Sequence, residues 1–170
     1  MNTAHLFLVG FMGAGKSTVA CEVAERTGRV CVDLDREIED EAQSTVSEIF
    51  SAGGELAFRD LESAALERMA ERPAAVVACG GGVVLRPENR ALLRAMGRVV
   101  YLAVTAEEAI ARVGDCSTRP LLAGSGGTLA ATALLSAREG LYRSVADVVV
   151  DTVGKTSAQV ADEVIAGVGL

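Results

Sequence analysis

The sequence predicts an α/β domain on a parallel sheet, and three observations lead there. Short apolar runs recur along the chain, such as HLFLV at His5–Val9 and AVVAC at 75–79. They are continuous and do not alternate with polar residues, the pattern of strands covered on both faces, as in a parallel sheet. Longer stretches with helical spacing separate them, and strand–helix alternation is the mark of an α/β domain. The third observation is negative: no internal repeat, linker or low-complexity tail divides residues 1–170, so one domain is expected.

Five strands are predicted, at 5–9, 30–34, 75–79, 99–104 and 146–150. A helix is expected over 16–27, stopped by Gly28. Another is expected over 55–71, where Phe58, Leu61, Ala65 and Met69 return at helical spacing. The turn-rich segment Arg119-Pro-Leu-Leu-Ala-Gly-Ser-Gly-Gly reads either as a hinged lid or as a surface loop.

Composition removes several function classes. With 170 residues and a formal net charge of -7, the chain is not built to coat nucleic acid or an anionic membrane. The only lysines are Lys16 and Lys155, and the arginines form no basic stripe. A few arginines in a cleft still suit a small anion. The N-terminal segment lacks a basic region, and its apolar run is too short for a signal or a membrane span, so a cytoplasmic protein is expected. Cys21, Cys31, Cys79 and Cys116 have no zinc-ligand spacing. They are expected to be small buried hydrophobes in a reducing compartment.

The first strand runs into Gly10-Phe-Met-Gly-Ala-Gly-Lys-Ser17, a full match to the phosphate-binding loop G-x-x-x-x-G-K-[ST]. Glycines let backbone N–H groups close around phosphate oxygens, and the helix that follows offers the positive end of its dipole. Lys16 brings a compact charge to β- and γ-phosphates, and Ser17 a hydroxyl for Mg²⁺. No acidic residue ends the third strand and no Asn-Lys-x-Asp stretch reads guanine, which counts against a GTPase. Carboxylates for the cation are sought instead at Asp33-Leu-Asp35, where strand alternation would turn both toward the crevice beyond the strand ends. The bland alternative is a capping aspartate followed by a solvated one. Arg59 either pairs with Glu55 and Glu62 as a surface residue or presents its planar fork to a substrate carboxylate. Gly80-Gly81-Gly82 suggests close approach of a ligand or another backbone, or a plain loop.

These segments, taken in order with Arg119-Pro-Leu-Leu and Arg138 before Leu141-Tyr142, resemble the shikimate kinase family across nearly the whole chain. The resemblance implies a three-layer, nucleoside-monophosphate-kinase-like P-loop fold with a five-stranded parallel sheet and a flexible lid near 112–127. It implies transfer of the γ-phosphoryl group of ATP to the 3-hydroxyl of shikimate, with Mg²⁺, by a monomer whose partners are small molecules. Asp35, Lys16 and Arg119 would be catalytic. Gly13, Ala14, Gly15, Lys16, Ser17, Thr18, Arg112, Arg119 and Lys155 would hold the nucleotide. Asp35, Arg59, Gly80, Gly81, Gly82 and Arg138 would hold shikimate, and Ser17 and Asp33 the metal. The chain departs from the family at Ala20-Cys21, at Arg138-Glu-Gly-Leu-Tyr where a proline is usual, and around Lys155. A gluconate kinase and a nucleotide-sensing module are the rival readings. The acceptor-side residues Asp35, Arg59 and Arg138 weigh against the second.

Overall fold

The computed structural model describes residues 4–113 and 127–170. Five parallel strands form one sheet in the order β2-β3-β1-β4-β5. They are β1 (His5–Val9), β2 (Val30–Asp33), β3 (Ala75–Ala78), β4 (Gly97–Ala103) and β5 (Val148–Asp151). The helices are α1 (Lys16–Thr27), α2 (Leu34–Ala42), α3 (Val46–Arg68), α4 (Pro87–Met96), α5 (Ala106–Val113), α6 (Gly127–Val145) and α7 (Ser157–Val168).

The strand order dictates the layers. From β1 the chain crosses toward one edge of the sheet through α1, then returns and continues to the other edge through α3, α4 and α6. Right-handed crossovers put α1 on one face and the other three on the opposite face. The packing agrees: α1 lies against α7, whereas α4 contacts both α3 and α6.

Central strands β1 and β3 are buried at every position, which is what their unbroken apolar sequences require. Each large aliphatic side chain so placed contributes about 1.5–3 kcal/mol by leaving water. Edge strands differ from the expectation of two covered faces. Val30 of β2 and Val149 of β5 are exposed, since each edge strand has a neighbour on one side only. The single histidine belongs to this framework. Its Nδ1 accepts from the Ala75 N–H at 3.2 Å, so Nε2 donates to the Met69 carbonyl at 2.9 Å.

Several predicted boundaries shift. The second strand ends at Asp33, and Leu34 already begins α2. The fifth runs 148–151 in place of 146–150 because the Tyr142 carbonyl still holds the Ala146 N–H at the end of α6. The helix expected over 55–71 is the second half of α3, which starts at Val46 and bends at Gly54 (φ 73°, ψ −176°) before a 3₁₀ turn at Met69–Glu71.

The cysteine expectation is corrected. Cys79 is a buried thiol, but Cys21 on α1 and Cys31 on β2 lie toward the surface and form a disulfide, with Cα atoms 5.0 Å apart. The turn at Gly28 folds helix back on strand and brings together residues whose sequence spacing gives no sign of pairing. Cys116, Arg119 and most of the expected lid at 112–127 lie outside the described residues.

Candidate active site

Parallel strands send all their C-terminal ends to one side, and the loops there build the site. The loop after β1 curls so that Gly13 has φ +74°, and a Cβ at that position would lie 2.5 Å from the Ala109 carbonyl oxygen. Only glycine fits between loop and α5. Lys16 Nζ donates to the Gly10 and Phe11 carbonyls, both at 2.9 Å, which folds the ammonium back over the loop. The first turn of α1 holds no acidic residue and no side chain caps it, so its amides and dipole stay available to an anion.

Beside that cradle, Ser17 Oγ donates to Asp33 Oδ2 at 2.5 Å. The other oxygen, Oδ1, accepts from the backbone N–H of Asp35 and Arg36 at 3.1 and 3.4 Å, capping α2. Asp33 thus does two things at once: it starts a helix with one oxygen and faces the phosphate loop with the other. This corrects the strand-alternation argument. Asp35 is not on a strand; it sits in the first turn of α2, and the strand-to-helix junction brings it to the crevice.

Across the crevice lies a buried arginine. Arg59 Nη1 donates to Glu62 Oε2 at 2.7 Å, while Nε and Nη2 reach Glu55 Oε1 at 3.3 and 3.2 Å. Its guanidinium carbon stands 5.2 Å from the centre of the Phe58 ring. The ion pairs of the surface reading exist, yet Arg59 is only 6% exposed and lines the cavity. The glycine triplet explains how. A Cβ on Gly82 would overlap the Arg59 guanidinium, and one on Gly80 would lie 2.6 Å from Glu62 Oε1 and 2.7 Å from Asp35 Oδ1. The close approach predicted for these glycines is made by the side chains that surround them.

Glu62 is fully buried and its Oε1 has no hydrogen-bond partner. Desolvation raises its carboxyl above the ordinary range; Arg59 works against that shift, and the nearby Asp35 adds to it. Arg138 of α6 is also buried, with Nη1 3.8 Å from where a Cβ of Gly81 would sit. Tyr142, one turn further along α6, donates its hydroxyl to the Gly81 carbonyl at 2.5 Å and stacks on Tyr101. Burial pushes the Tyr142 phenol up to about 12, although Arg138 beside it pulls the other way.

Asp33, Asp35, Arg59, Gly80–Gly82 and Arg138 line one cavity of about 620 Å³ that opens beside Ser17. Arg112 and Lys155, expected to hold the nucleotide, do not line this cavity. Arg112 donates to the Thr152 carbonyl at 2.7 Å, to Thr152 Oγ1 at 3.0 Å and to the Gly13 carbonyl at 3.3 Å. Lys155 pairs with Glu163 of α7.

A family model described as shikimate kinase matches residues 12–168. The chain belongs to the shikimate kinase family. Among curated shikimate kinases, that of Chromobacterium violaceum is 40% identical over 87% of this chain and 80% of its own length. That of Bordetella pertussis is 44% identical over 86% and 70%. The structure of shikimate kinase from Acinetobacter baumannii in complex with shikimate superposes with a TM-score of 0.93 at 36% identity, covering 96% of this chain and 92% of that one. A gluconokinase from Sinorhizobium meliloti, at TM-score 0.60 and 19% identity, shares the fold alone.

Within the family frame, two residues that the sequence reading left out of the site are Glu62 and Tyr142. Glu62 fixes Arg59, and Tyr142 fixes the glycine triplet. Helical spacing was the available signal, because Glu62 follows Arg59 by three residues and Tyr142 follows Arg138 by four.

Proposed function

We propose that this chain phosphorylates the 3-hydroxyl of shikimate with ATP, giving shikimate 3-phosphate and ADP, a step toward aromatic amino acids. The observation that carries the reading is the adjacency of the two halves of the site. A phosphate cradle opens directly onto a cavity with two buried arginines and Asp35 at the boundary.

In this reading the amides at the start of α1 and the Lys16 ammonium hold the β- and γ-phosphates. Arg59 and Arg138 take the acceptor's carboxylate. Desolvation strengthens both contacts, and the existing bonds to Glu62 and Glu55 hold the Arg59 fork in place. Asp35 accepts the proton of the attacking hydroxyl or orients it. Arg112 and Lys155 attend the adenine end, and Arg119 joins the phosphates from the lid near 112–127. The remaining chemistry is positioning of nucleophile and phosphorus in line.

Ser17 and Asp33 suit Mg²⁺, being hard oxygen donors already held side by side. The cation would neutralise phosphate charge there. Among the described residues no cluster of three potential ligand side chains is present, and Mg²⁺ bound with nucleotide phosphates and water needs none. The working protein is taken as one domain, a cytoplasmic monomer with small-molecule partners and neither nucleic acid nor membrane. No helix among the described residues is long and apolar enough to cross a membrane.

A coupled assay on purified protein tests the activity: ADP release should depend on shikimate, and ADP release indifferent to shikimate would refute it. Asp35→Asn should lower kcat by about 10²–10⁴-fold with little change in ATP affinity. Equal losses in both would remove Asp35 from the acceptor hydroxyl.

A further inference from the structure

Helix α1 and strand β2 run in opposite directions from the turn at Gly28, and two residue pairs face each other across the seam. One is Ser17 with Asp33, Oγ to Oδ2 at 2.5 Å. The other is the Cys21–Cys31 disulfide. Chain geometry accounts for both. From Gly28 back to Cys21 a helix spans about 10 Å, and from Gly28 on to Cys31 an extended chain spans about 10 Å. The same reckoning to Ser17 and to Asp33 gives about 16 Å on each side. Cys21 lies one turn along α1 from Ser17, on the same face. Cys31 lies two residues before Asp33, on the same side of β2. The disulfide and the Ser17–Asp33 contact are successive rungs of one ladder.

The phosphoryl transfer described above makes no use of these cysteines. Cys21 is exposed and Cys31 half-buried, so small thiols and disulfides reach the pair, whereas Cys79 is buried. The rung also lies where the sheet is least constrained. β2 is an edge strand with a backbone partner on the β3 side only, and its Val30 is 63% exposed.

We propose that Cys21 and Cys31 form a redox modification site, a dithiol oxidised by low-molecular-weight disulfides, whose bond governs how firmly Ser17 and Asp33 are held for a divalent cation. The proposal rests on the reading of Ser17 and Asp33 as cation-side residues. In the first step the Cys21 thiolate attacks one sulfur of the small disulfide; a mixed disulfide forms and a small thiolate leaves. The Cys31 thiolate then attacks the Cys21 sulfur, closing the internal bond and expelling the second small thiolate. Two electrons pass from the cysteines to the small disulfide, and the two protons the cysteines lose end on the two small thiols. With the bond closed, Asp33 is tethered through Cys31 to the helix that carries Ser17. With it open, β2 is held by the ladder to β3 and by packing.

The full chain is equilibrated at a series of glutathione to glutathione disulfide ratios. Thiols are trapped by alkylation and located by mass spectrometry, and Mn²⁺ binding in the presence of ADP is measured by electron paramagnetic resonance. Cys21 and Cys31 should lose their alkylation together, and Mn²⁺ should bind about fivefold more weakly to the reduced protein. The double variant Cys21→Ser, Cys31→Ser should match the reduced protein at every ratio. Independent alkylation of the two cysteines, or equal Mn²⁺ affinity in both redox states while Ser17→Ala weakens binding, would overturn the proposal alone. Unchanged Mn²⁺ affinity in Ser17→Ala would overturn it together with the cation reading.

Discussion

The Arg59 guanidinium is fastened on both edges before any ligand arrives, by Glu62 at one end and Glu55 at the other, with the flat of Gly82 against it. Such an arginine loses little freedom on binding a carboxylate, because its rotamer is already chosen. Gly82→Ala puts a methyl group where the guanidinium lies. We expect about a tenfold rise in KM for shikimate and about 1–3 kcal/mol of lost stability, read from steady-state kinetics and urea unfolding. Tyr142 carries a different signature. Its phenol titrates near 12 in the folded protein and near 10 when unfolded, so folding holds a proton that the unfolded chain gives up between those values. Its contribution is full below pH 10 and is lost as pH rises toward 12, about 3 kcal/mol in all. Tyr142→Phe should reduce the loss of stability between pH 9 and pH 11.5 in unfolding measurements without abolishing it, because burial also raises the Cys79 thiol and the Tyr101 phenol.

At the level of elements, what the sequence revealed depended on how local the cause was. Helix α1 and its stop at Gly28 were legible because the phosphate loop, the helix start and a left-handed terminator lie within one short segment. Asp33 and Asp35 both line the cavity, but a strand-to-helix junction and not strand alternation brings them there. A strand-to-helix junction looks like a strand end in sequence, and the cap that reveals it needs the backbone of Asp35 and Arg36. The disulfide was not legible at all, since the cysteines meet only after two elements of different rise fold back on each other. The bend in α3 was masked by helix-compatible residues on both sides of Gly53-Gly54. Gly54 sits at φ 73°, ψ −176°, a conformation costly for any side chain. Gly54→Ala should therefore destabilise the fold by about 1–3 kcal/mol in chemical denaturation. Because the strain is local, phosphate-loop binding of nucleotide should survive it.

On the scale of the whole molecule, strand order converts separate motifs into one site. The C-terminal ends of β1, β2 and β3 lead into the cradle, the two aspartates and the glycine triplet, and those strands are neighbours in the sheet. Sequence order alone does not disclose that β3 lies between β2 and β1. Two ligands on one rigid sheet should stabilise it separately. Nucleotide and shikimate, each at about a hundred times its dissociation constant, should each raise the unfolding free energy by about 2.7 kcal/mol. Arg59→Ala should lose the shikimate increment and keep the nucleotide one, as read by calorimetry. The packed glycines carry a further consequence, for inhibitor resistance. Gly13 is closed in by the Ala109 carbonyl, Gly80 by Asp35 and Glu62, and Gly82 by Arg59. A compound that grips the backbone at these positions meets a surface that point mutation can reshape only by displacing the α5 backbone or the packed side chains around the cavity. Escape routes for such a compound run through the cavity's outer rim and not through its floor.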